Sequence, residues 1–188
     1  MNTARVTNAQ YHEFIQDIID SIVAQRVMDP YFRGDKNLAT ESLYKTNPIT
    51  GEKKLDVKQL VYVYEKYDYI GAALRQNRLD PEDRIKDTDK TVSDEPVIIS
   101  KDTAYINEDG VIVRQTIERQ LTSLFDFVNT YIVNIFPDTT CWVNDFPNAN
   151  NETYSRAYFN HPNYNEYPVV GVSWEQANAF CAWRTEYL

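Results

Sequence analysis

Apolar residues recur every three to four positions from residue 11 to residue 23, a spacing that predicts an amphipathic α-helix. Thr7 and Gln10 have the Ser/Thr-x-x-Glu/Gln spacing of a capping box, so the helix should begin directly after Thr7. His12 falls outside the apolar face, which predicts a surface position without a catalytic role. The face expected to enter the core consists of Tyr11, Phe14, Ile15, Ile18, Ile19, Ile22 and Val23.

A second strong pattern lies in the segment YPVVGVSWEQANAFCAWRTEYL, residues 167–188. Its valines at 169, 170 and 172 predict a short buried strand that turns at Gly171. Ser173 and Gln176 have capping-box spacing and predict that a helix follows. The helical face expected to pack inward consists of Trp174, Ala177, Phe180, Cys181, Arg184 and Tyr187.

The middle of the chain has weaker patterns. Residues 29–55 contain repeated glycines and prolines and are predicted to be loops with little regular structure. Residues 55–77 fit neither the helical nor the strand period; LVYVY could form a strand, but the segment is predicted to be mostly helical. Two β-rich runs flank Asn107–Gly110, which predicts a hairpin with Gly110 at positive φ. A further strand is predicted over 125–136.

Asparagines, prolines and aromatic residues crowd residues 137–176. Asparagine and proline favour turns, and aromatic side chains can pack across them. We therefore expect an ordered but irregular region that is held together by side chains more than by strand pairing.

The charge of the chain is concentrated in one stretch. The net charge is −9, and residues 80–110 contribute −6 of it, with ten acidic residues against four lysines and arginines. Such a stretch is typical of a solvated loop. Because an acidic protein repels the phosphate backbone, nucleic-acid binding is excluded as a function class.

The sequence offers no constellation of catalytic or metal-binding residues. It lacks a phosphate-binding loop and a dinucleotide-binding motif, and Gly171-Val172-Ser173 is followed by Glu175 where a nucleophile elbow needs glycine. Asp87-Thr88-Asp89 resembles the start of a calcium loop, but the required glycine and the bidentate glutamate are missing. We therefore predict no catalytic, cofactor-binding or metal-binding residue and no cofactor.

Two cysteines, Cys141 and Cys181, lie too far apart in sequence for a CxxC motif, and neither His12 nor His161 has zinc-ligand spacing to them. Cys181 is expected to be a small buried apolar residue, and Cys141 to lie in a strand. A disulfide bond between them is possible in an oxidising compartment. The start of the chain has no signal-peptide pattern, so the protein is either cytoplasmic or has lost its export signal.

The two strongest patterns resemble known motifs. Val6–Phe14 matches Val-Thr-Asn-x-x-Tyr/Phe-x-x-Phe, and Pro168–Trp183 matches Pro-Val-x-x-Val-Ser/Thr-Trp-x-x-Ala-x-x-Phe/Tyr-Cys-x-Trp. Both resemble the opening motifs of the formylglycine-generating enzyme (sulfatase-modifying factor) domain family. The resemblance implies an irregular, loop-rich, lectin-like α+β fold. Residues 1–188 would be the N-terminal portion of one such domain, with a long insertion at about 30–134.

Four shorter elements indicate which members of this family the chain resembles most: Pro137–Trp142, Asn151–Tyr154, Tyr158–Pro162 and Tyr167–Val172. They resemble the gliding-motility and type IX secretion lipoproteins of the Bacteroidetes, the GldK (PorK) and GldJ families, and GldK more than GldJ. This implies a non-catalytic structural component of that machinery, which is a periplasmic ring or scaffold at the outer membrane. A lipid anchor outside this chain, a homo-oligomeric ring and GldN/PorN-like partners are implied with it.

Two other functions stay open at this point. The chain could be a fragment of a formylglycine-generating oxidase that acts on sulfatase cysteines, because that family places its copper-binding cysteine pair beyond the matched motifs. A carbohydrate- or calcium-binding module is the other alternative, since the domain class has a lectin-like core. In both cases the resemblance transfers no catalytic residue to this chain, because Cys181 matches a packing position of the family.

Overall fold

The computed structural model describes residues 5–84, 96–145 and 147–187, and the segment Asp87–Asp89 lies outside them. The chain forms two compact units: the first contains the residues up to Tyr62 and those from Val133 onward, and the second contains 63–132. Helices and small sheets occur together, which confirms the α+β class. The helices are α1 (Asn8–Met28), α2 (Lys36–Glu41), α3 (Tyr69–Ala73), α4 (Cys141–Asn144), α5 (Glu152–Ala157) and α6 (Trp174–Tyr187). The strands are β1 (Tyr44–Thr46), β2 (Lys53–Leu55), β3 (Val61–Tyr67), β4 (Ile98–Ile106), β5 (Ile112–Gln120) and β6 (Val128–Asn134).

Helix α1 begins where its capping box predicts. The Thr7 hydroxyl accepts a hydrogen bond from the Gln10 N–H, and the Gln10 side chain accepts one from the Thr7 N–H. Each of these bonds satisfies an amide that the first helical turn would otherwise leave without an acceptor. The predicted face is inside: Tyr11, Phe14, Ile15, Ile18 and Val23 are buried.

Helix α6 is also capped as predicted, through Ser173 and Gln176. The face that it buries differs from the prediction: Ala179, Phe180 and Trp183 are buried, whereas Ala177 and Cys181 are exposed and Trp174 is 77% exposed. The Gln176 side chain turns inward and donates to the carbonyl oxygens of Asn134 and Phe136. That contact rotates the inward face of α6 away from Trp174.

Residues 29–55 are more regular than predicted. They contain α2 and the antiparallel pair β1–β2, in which Tyr44 lies opposite Leu55. The side chains of Val23, Ala39 and Leu43 form a buried cluster that joins α1 to this segment. The glycines and prolines therefore lie in turns between short elements. These elements are too short to be predicted from periodicity, and burial of Ala39 and Leu43 stabilises them.

The prediction that residues 55–77 are mostly helical is wrong. LVYVY belongs to β3, which pairs with β6. The helical residues of 55–77 are those of α3 and of two 3-10 turns, Val57–Gln59 and Arg75–Asn77. Flanking hydrogen bonds from Ile135 N–H to Leu60 O and from Asp68 N–H to Phe127 O give the pair an antiparallel register. Strand β6 confirms the strand predicted over 125–136. These two strands carry the chain from one unit to the other.

In the second unit, β4 and β5 form the predicted hairpin, with Gly110 at φ 75°. Ile98 lies opposite Gln120 and Ile106 opposite Ile112, so the pairing runs the full length of both strands. At its base the side chains of Ile99, Leu121 and Phe127 form a buried cluster. The unit thus has a small core at one end of a long two-stranded sheet.

The region from 137 to 168 is held by side chains, as expected. Its short helices α4 and α5 are connected by ring contacts, with centroid distances of 5.0 Å between Trp142 and Tyr158 and 5.4 Å between Trp142 and Tyr154. Two strand predictions are wrong here. Cys141 opens α4, and the valines of 169–172 form no strand; an isolated bridge between Thr7 and Pro168 lies beside them.

Candidate functional site

The two motifs recognised in the sequence lie against each other in the first unit. Val169 N–H donates to Val6 O at 3.0 Å, Asn8 N–H to Tyr167 O at 2.9 Å, and Ala9 N–H to Asn165 O at 2.9 Å. These bonds and the bridge between Thr7 and Pro168 join segments that are far apart in sequence. We call this contact the motif junction: residues 6–9 with 165–169.

Asn8 is the polar centre of the motif junction. It is fully buried, and its Nδ2 donates to the carbonyl oxygens of Tyr158 at 3.1 Å and Tyr164 at 2.9 Å. Its Oδ1 has no hydrogen-bond partner among the described residues. One amide group therefore satisfies two main-chain carbonyls of the irregular region, and it fixes where that region docks on α1.

We expect Asn8→Ala to lower the free energy of unfolding of the first unit by about 1–3 kcal/mol, because it leaves buried carbonyl oxygens without a donor. Denaturant unfolding followed by tryptophan fluorescence measures this change. Asn37→Ala is the control, since Asn37 also lies in the first turn of a helix but is exposed. Equal effects of the two substitutions would contradict the role assigned to Asn8.

Aromatic contacts extend the motif junction into the core. The Tyr11 hydroxyl donates to Ile135 O at 2.9 Å, and the Tyr11 ring stacks on Phe180 with a centroid distance of 5.6 Å. Burial raises the pKa of Tyr11, so its hydroxyl stays protonated as a donor. A residue of the first motif thus fixes both the end of β6 and the helix that follows the second motif.

His12 is half-buried rather than at the surface as predicted. Its ring stacks on Phe159 at a centroid distance of 4.2 Å, and its Nε2 lies 2.7 Å from Phe159 O. It borders an open groove of about 630 Å³, which is also lined by Tyr44, Phe136 and Asn160. The hydrogen bond and the stacked ring assign His12 a packing role at this groove.

The cysteines are free and do not form the disulfide considered from the sequence. Cys181 is exposed, which corrects the buried position predicted for it, because α6 turns its opposite face to the core. Burial, together with the carboxylates of Asp138 and Asp145, raises the pKa of the Cys141 thiol. A raised pKa keeps the thiol protonated, which is the reverse of what a reactive cysteine needs.

No three histidine, cysteine, aspartate or glutamate residues of the described part come together as a metal site. No described helix has the length and apolar character needed to cross a membrane.

The second unit exposes large apolar side chains on adjoining elements. Tyr69 and Ile70 of α3 are 76% and 82% exposed, and Leu124 and Phe125 of a neighbouring 3-10 turn are 59% and 82% exposed. We call these four residues the apolar patch. Large exposed apolar side chains concentrated on neighbouring elements can mark a place where another molecule binds. Sequence periodicity missed it, because α3 and the turn are too short to show a pattern.

Asp126 holds the turn that carries half of the apolar patch. Its buried carboxylate accepts hydrogen bonds from Thr122 N–H and Ser123 N–H, both at 2.8 Å, and from the Thr122 hydroxyl, and it pairs with Arg119. The two backbone donors, then the hydroxyl and the Arg119 charge, lower the pKa of Asp126 to about 2. The charged carboxylate is therefore part of the folded turn.

We expect Asp126→Asn to lower the thermal stability of the second unit most at neutral pH. The pKa of Asp126 in the folded protein lies below the value of roughly 3.9 for an aspartate in an unfolded chain. Its charged carboxylate therefore stabilises the fold fully at any pH above that value. It is lost as the pH falls from about 4 towards 2, where the variant and the natural protein should converge. Thermal unfolding followed by circular dichroism across this range tests the expectation. The control is Asp109→Asn at the exposed hairpin turn. If the loss of thermal stability in Asp126→Asn does not change with pH, the role assigned to the charged Asp126 is contradicted.

No family model, curated protein or solved structure matches the chain.

Proposed function

We propose that the protein is a non-catalytic structural component of the type IX secretion and gliding-motility machinery of the Bacteroidetes. It would be of the GldK (PorK) type, with GldJ as the sibling alternative, and would have a formylglycine-generating-enzyme-like fold. It would act in the periplasm at the outer membrane as a ring or scaffold subunit with GldN/PorN-like partners. Its lipid anchor would lie outside residues 1–188.

The observation that carries this proposal is the motif junction. Both motifs that resemble the family lie in one structure, joined by three main-chain hydrogen bonds and by the buried Asn8. If the two segments resembled the family motifs only by chance, there would be no reason for them to contact each other in the fold. Their contact supports reading both motifs as parts of one domain core.

The apolar patch supports an interaction role. Ile70 and Phe125 are each 82% exposed, although their own elements bury Ala72 and Phe127 in or against the core of the unit. Exposed apolar side chains cost solubility and are typically covered in a working assembly. A scaffold subunit has such a surface where its partner binds.

Affinity capture of the full-length protein from solubilised cell envelopes tests the proposal. We expect a GldN/PorN-like protein to be enriched, and Ile70→Asp to reduce its recovery about tenfold or more, since a charge would be buried at the contact. Ile49→Asp is the matched control, because Ile49 is 92% exposed in the first unit. Absence of any GldN/PorN-like protein from the captured material would contradict the proposed function.

The oxidase alternative makes a different prediction. A formylglycine-generating oxidase would convert the cysteine of a sulfatase peptide to formylglycine in the presence of copper and oxygen. Mass spectrometry of such a peptide after incubation with the full-length protein detects the conversion. Turnover of the peptide would favour the oxidase over the scaffold.

A further inference from the structure

Strand β5 has one edge against β4 and one that faces away from it. Hydrogen bonds from Asn107 N–H to Val111 O and from Leu121 N–H to Val97 O flank the pairing at its two ends. In an antiparallel pair the residues alternate between facing the partner strand and facing away from it. The odd-numbered residues of β5 therefore bond to β4, and the even-numbered ones direct their N–H and C=O groups to the outer edge.

The outer edge of β4 already makes a hydrogen bond inside the unit: Asp102 N–H donates to the Asn129 side chain at 2.9 Å. Within the described ranges, β4 is the only strand that pairs with β5. The outer edge of β5 runs for nine residues, Ile112–Gln120, without proline or glycine. An edge of this length and regularity is a template for pairing with another strand.

We propose that this edge binds the same edge of a second copy of the chain, in an antiparallel pair around a two-fold axis at Thr116. This inference does not depend on the proposed function. Thr116 is the central residue of the strand, and its backbone groups point outward, so the pairing can extend over the whole strand. Two copies then form one continuous four-stranded sheet.

Charge complementarity selects the second copy as the occupant. In the register of full overlap, Arg114 of each copy lies directly opposite Glu118 of the other, once on each side of the axis. Opposite charges at such positions stabilise a pair of strands, and like charges destabilise it. A shift by one residue of register removes both charge pairs and shortens the overlap. A parallel arrangement would bring identical charges close together.

The remaining positions of this register are compatible with pairing. Ile112 lies opposite Gln120, Gln115 opposite Ile117, and Val113 opposite Arg119. Arg119 is already paired with Asp126 inside its own copy. The symmetric contact therefore brings no like charges opposite each other.

Sedimentation equilibrium of the purified chain over a wide concentration range tests this inference. The natural protein should form a dimer reversibly. Thr116→Pro should abolish the dimer but keep the hairpin, because the N–H that proline lacks at 116 faces outward. Thr116→Ala keeps that N–H and should leave the dimer in place. Circular dichroism checks that each variant is folded.

Charge reversal tests the register. Arg114→Glu or Glu118→Arg alone places like charges opposite each other twice, and each should raise the dissociation constant about tenfold or more. The double variant Arg114→Glu/Glu118→Arg restores opposite pairs and should recover the dimer. A monomer at every concentration, or a dimer that survives Thr116→Pro and both reversals, would overturn the inference. Either result leaves the proposed secretion function to be decided by partner capture.

Discussion

Replacing Phe14 with alanine should lower the free energy of unfolding of the first unit by about 3–5 kcal/mol. Phe14 is fully buried, and its ring contacts four others, with centroid distances of 5.1 Å to Trp183, 5.5 Å to Tyr62, 5.6 Å to Tyr11 and 5.7 Å to Phe180. The substitution removes these contacts and leaves a cavity that four rigid rings cannot fill by collapsing.

Tryptophan fluorescence during denaturant unfolding isolates this effect, because Trp142, Trp174 and Trp183 all lie in the first unit. Ile49→Ala is the control: it also truncates a large apolar side chain of the first unit, but one that is 92% exposed, and it should alter stability by less than about 0.5 kcal/mol. A loss below about 1 kcal/mol for Phe14→Ala would contradict this packing of the Phe14 ring.

The second large effect is expected from Gly171→Ala, at about 2–4 kcal/mol of lost stability. Gly171 has φ +74°, and a Cβ built there would lie 2.1 Å from Asp138 O and 3.2 Å from the Cys141 sulfur. The Asp138 N–H also donates to Gly171 O at 2.8 Å, so the main chains are fixed to each other at this point. Alanine would have to separate them and break that bond.

Gly34→Ala separates the two causes. Gly34 has nearly the same backbone angle, φ +78°, but a Cβ there meets nothing within 4 Å. Gly34→Ala should therefore cost only the backbone strain of a left-handed conformation, about 1–2 kcal/mol. The difference between the two variants in denaturant unfolding then measures the steric contact at Gly171. If both variants lose the same stability, the main chain of Asp138 does not approach Gly171 closely enough to exclude a Cβ.

Local signals predicted the parts of the fold that local interactions determine. The capping boxes at Thr7 and Ser173 each use bonds within four residues, and the β4–β5 hairpin forms around its own turn. The apolar face of α1 was predictable because seven residues repeat along a long helix. In these places periodicity and turn chemistry are sufficient.

The predictions were wrong where contacts with a segment distant in sequence determine the local structure. Strand β3 forms because β6 pairs with it, and a single-strand pattern of tyrosines and valines cannot show that partner. The buried face of α6 depends on Gln176, whose side chain reaches carbonyls some forty residues earlier. Cys181 and Trp174 are exposed as a result.

The candidate site was predictable only in part. The motif resemblance identified both halves of the motif junction, but the burial of Asn8 between two carbonyls depends on the irregular region folding onto it. Asparagine at a helix start usually indicates a turn or a cap, and here it acts across the structure instead. The apolar patch lies on elements of four and five residues, which are too short for any periodic signal.

The motif junction also sets the order of events during synthesis. Asn8 bonds to carbonyls that follow it by 150 and 156 residues in the chain, so the N-terminal half of α1 cannot complete its packing until those residues have left the ribosome. At a translation rate of about 5–20 residues per second, its apolar face stays open for roughly 8–30 s. The hairpin of the second unit, whose contacts are local, can form in that interval and shorten the loop that must close. In the newly made chain, apolar surface therefore stays exposed longest at the N-terminal half of the first helix.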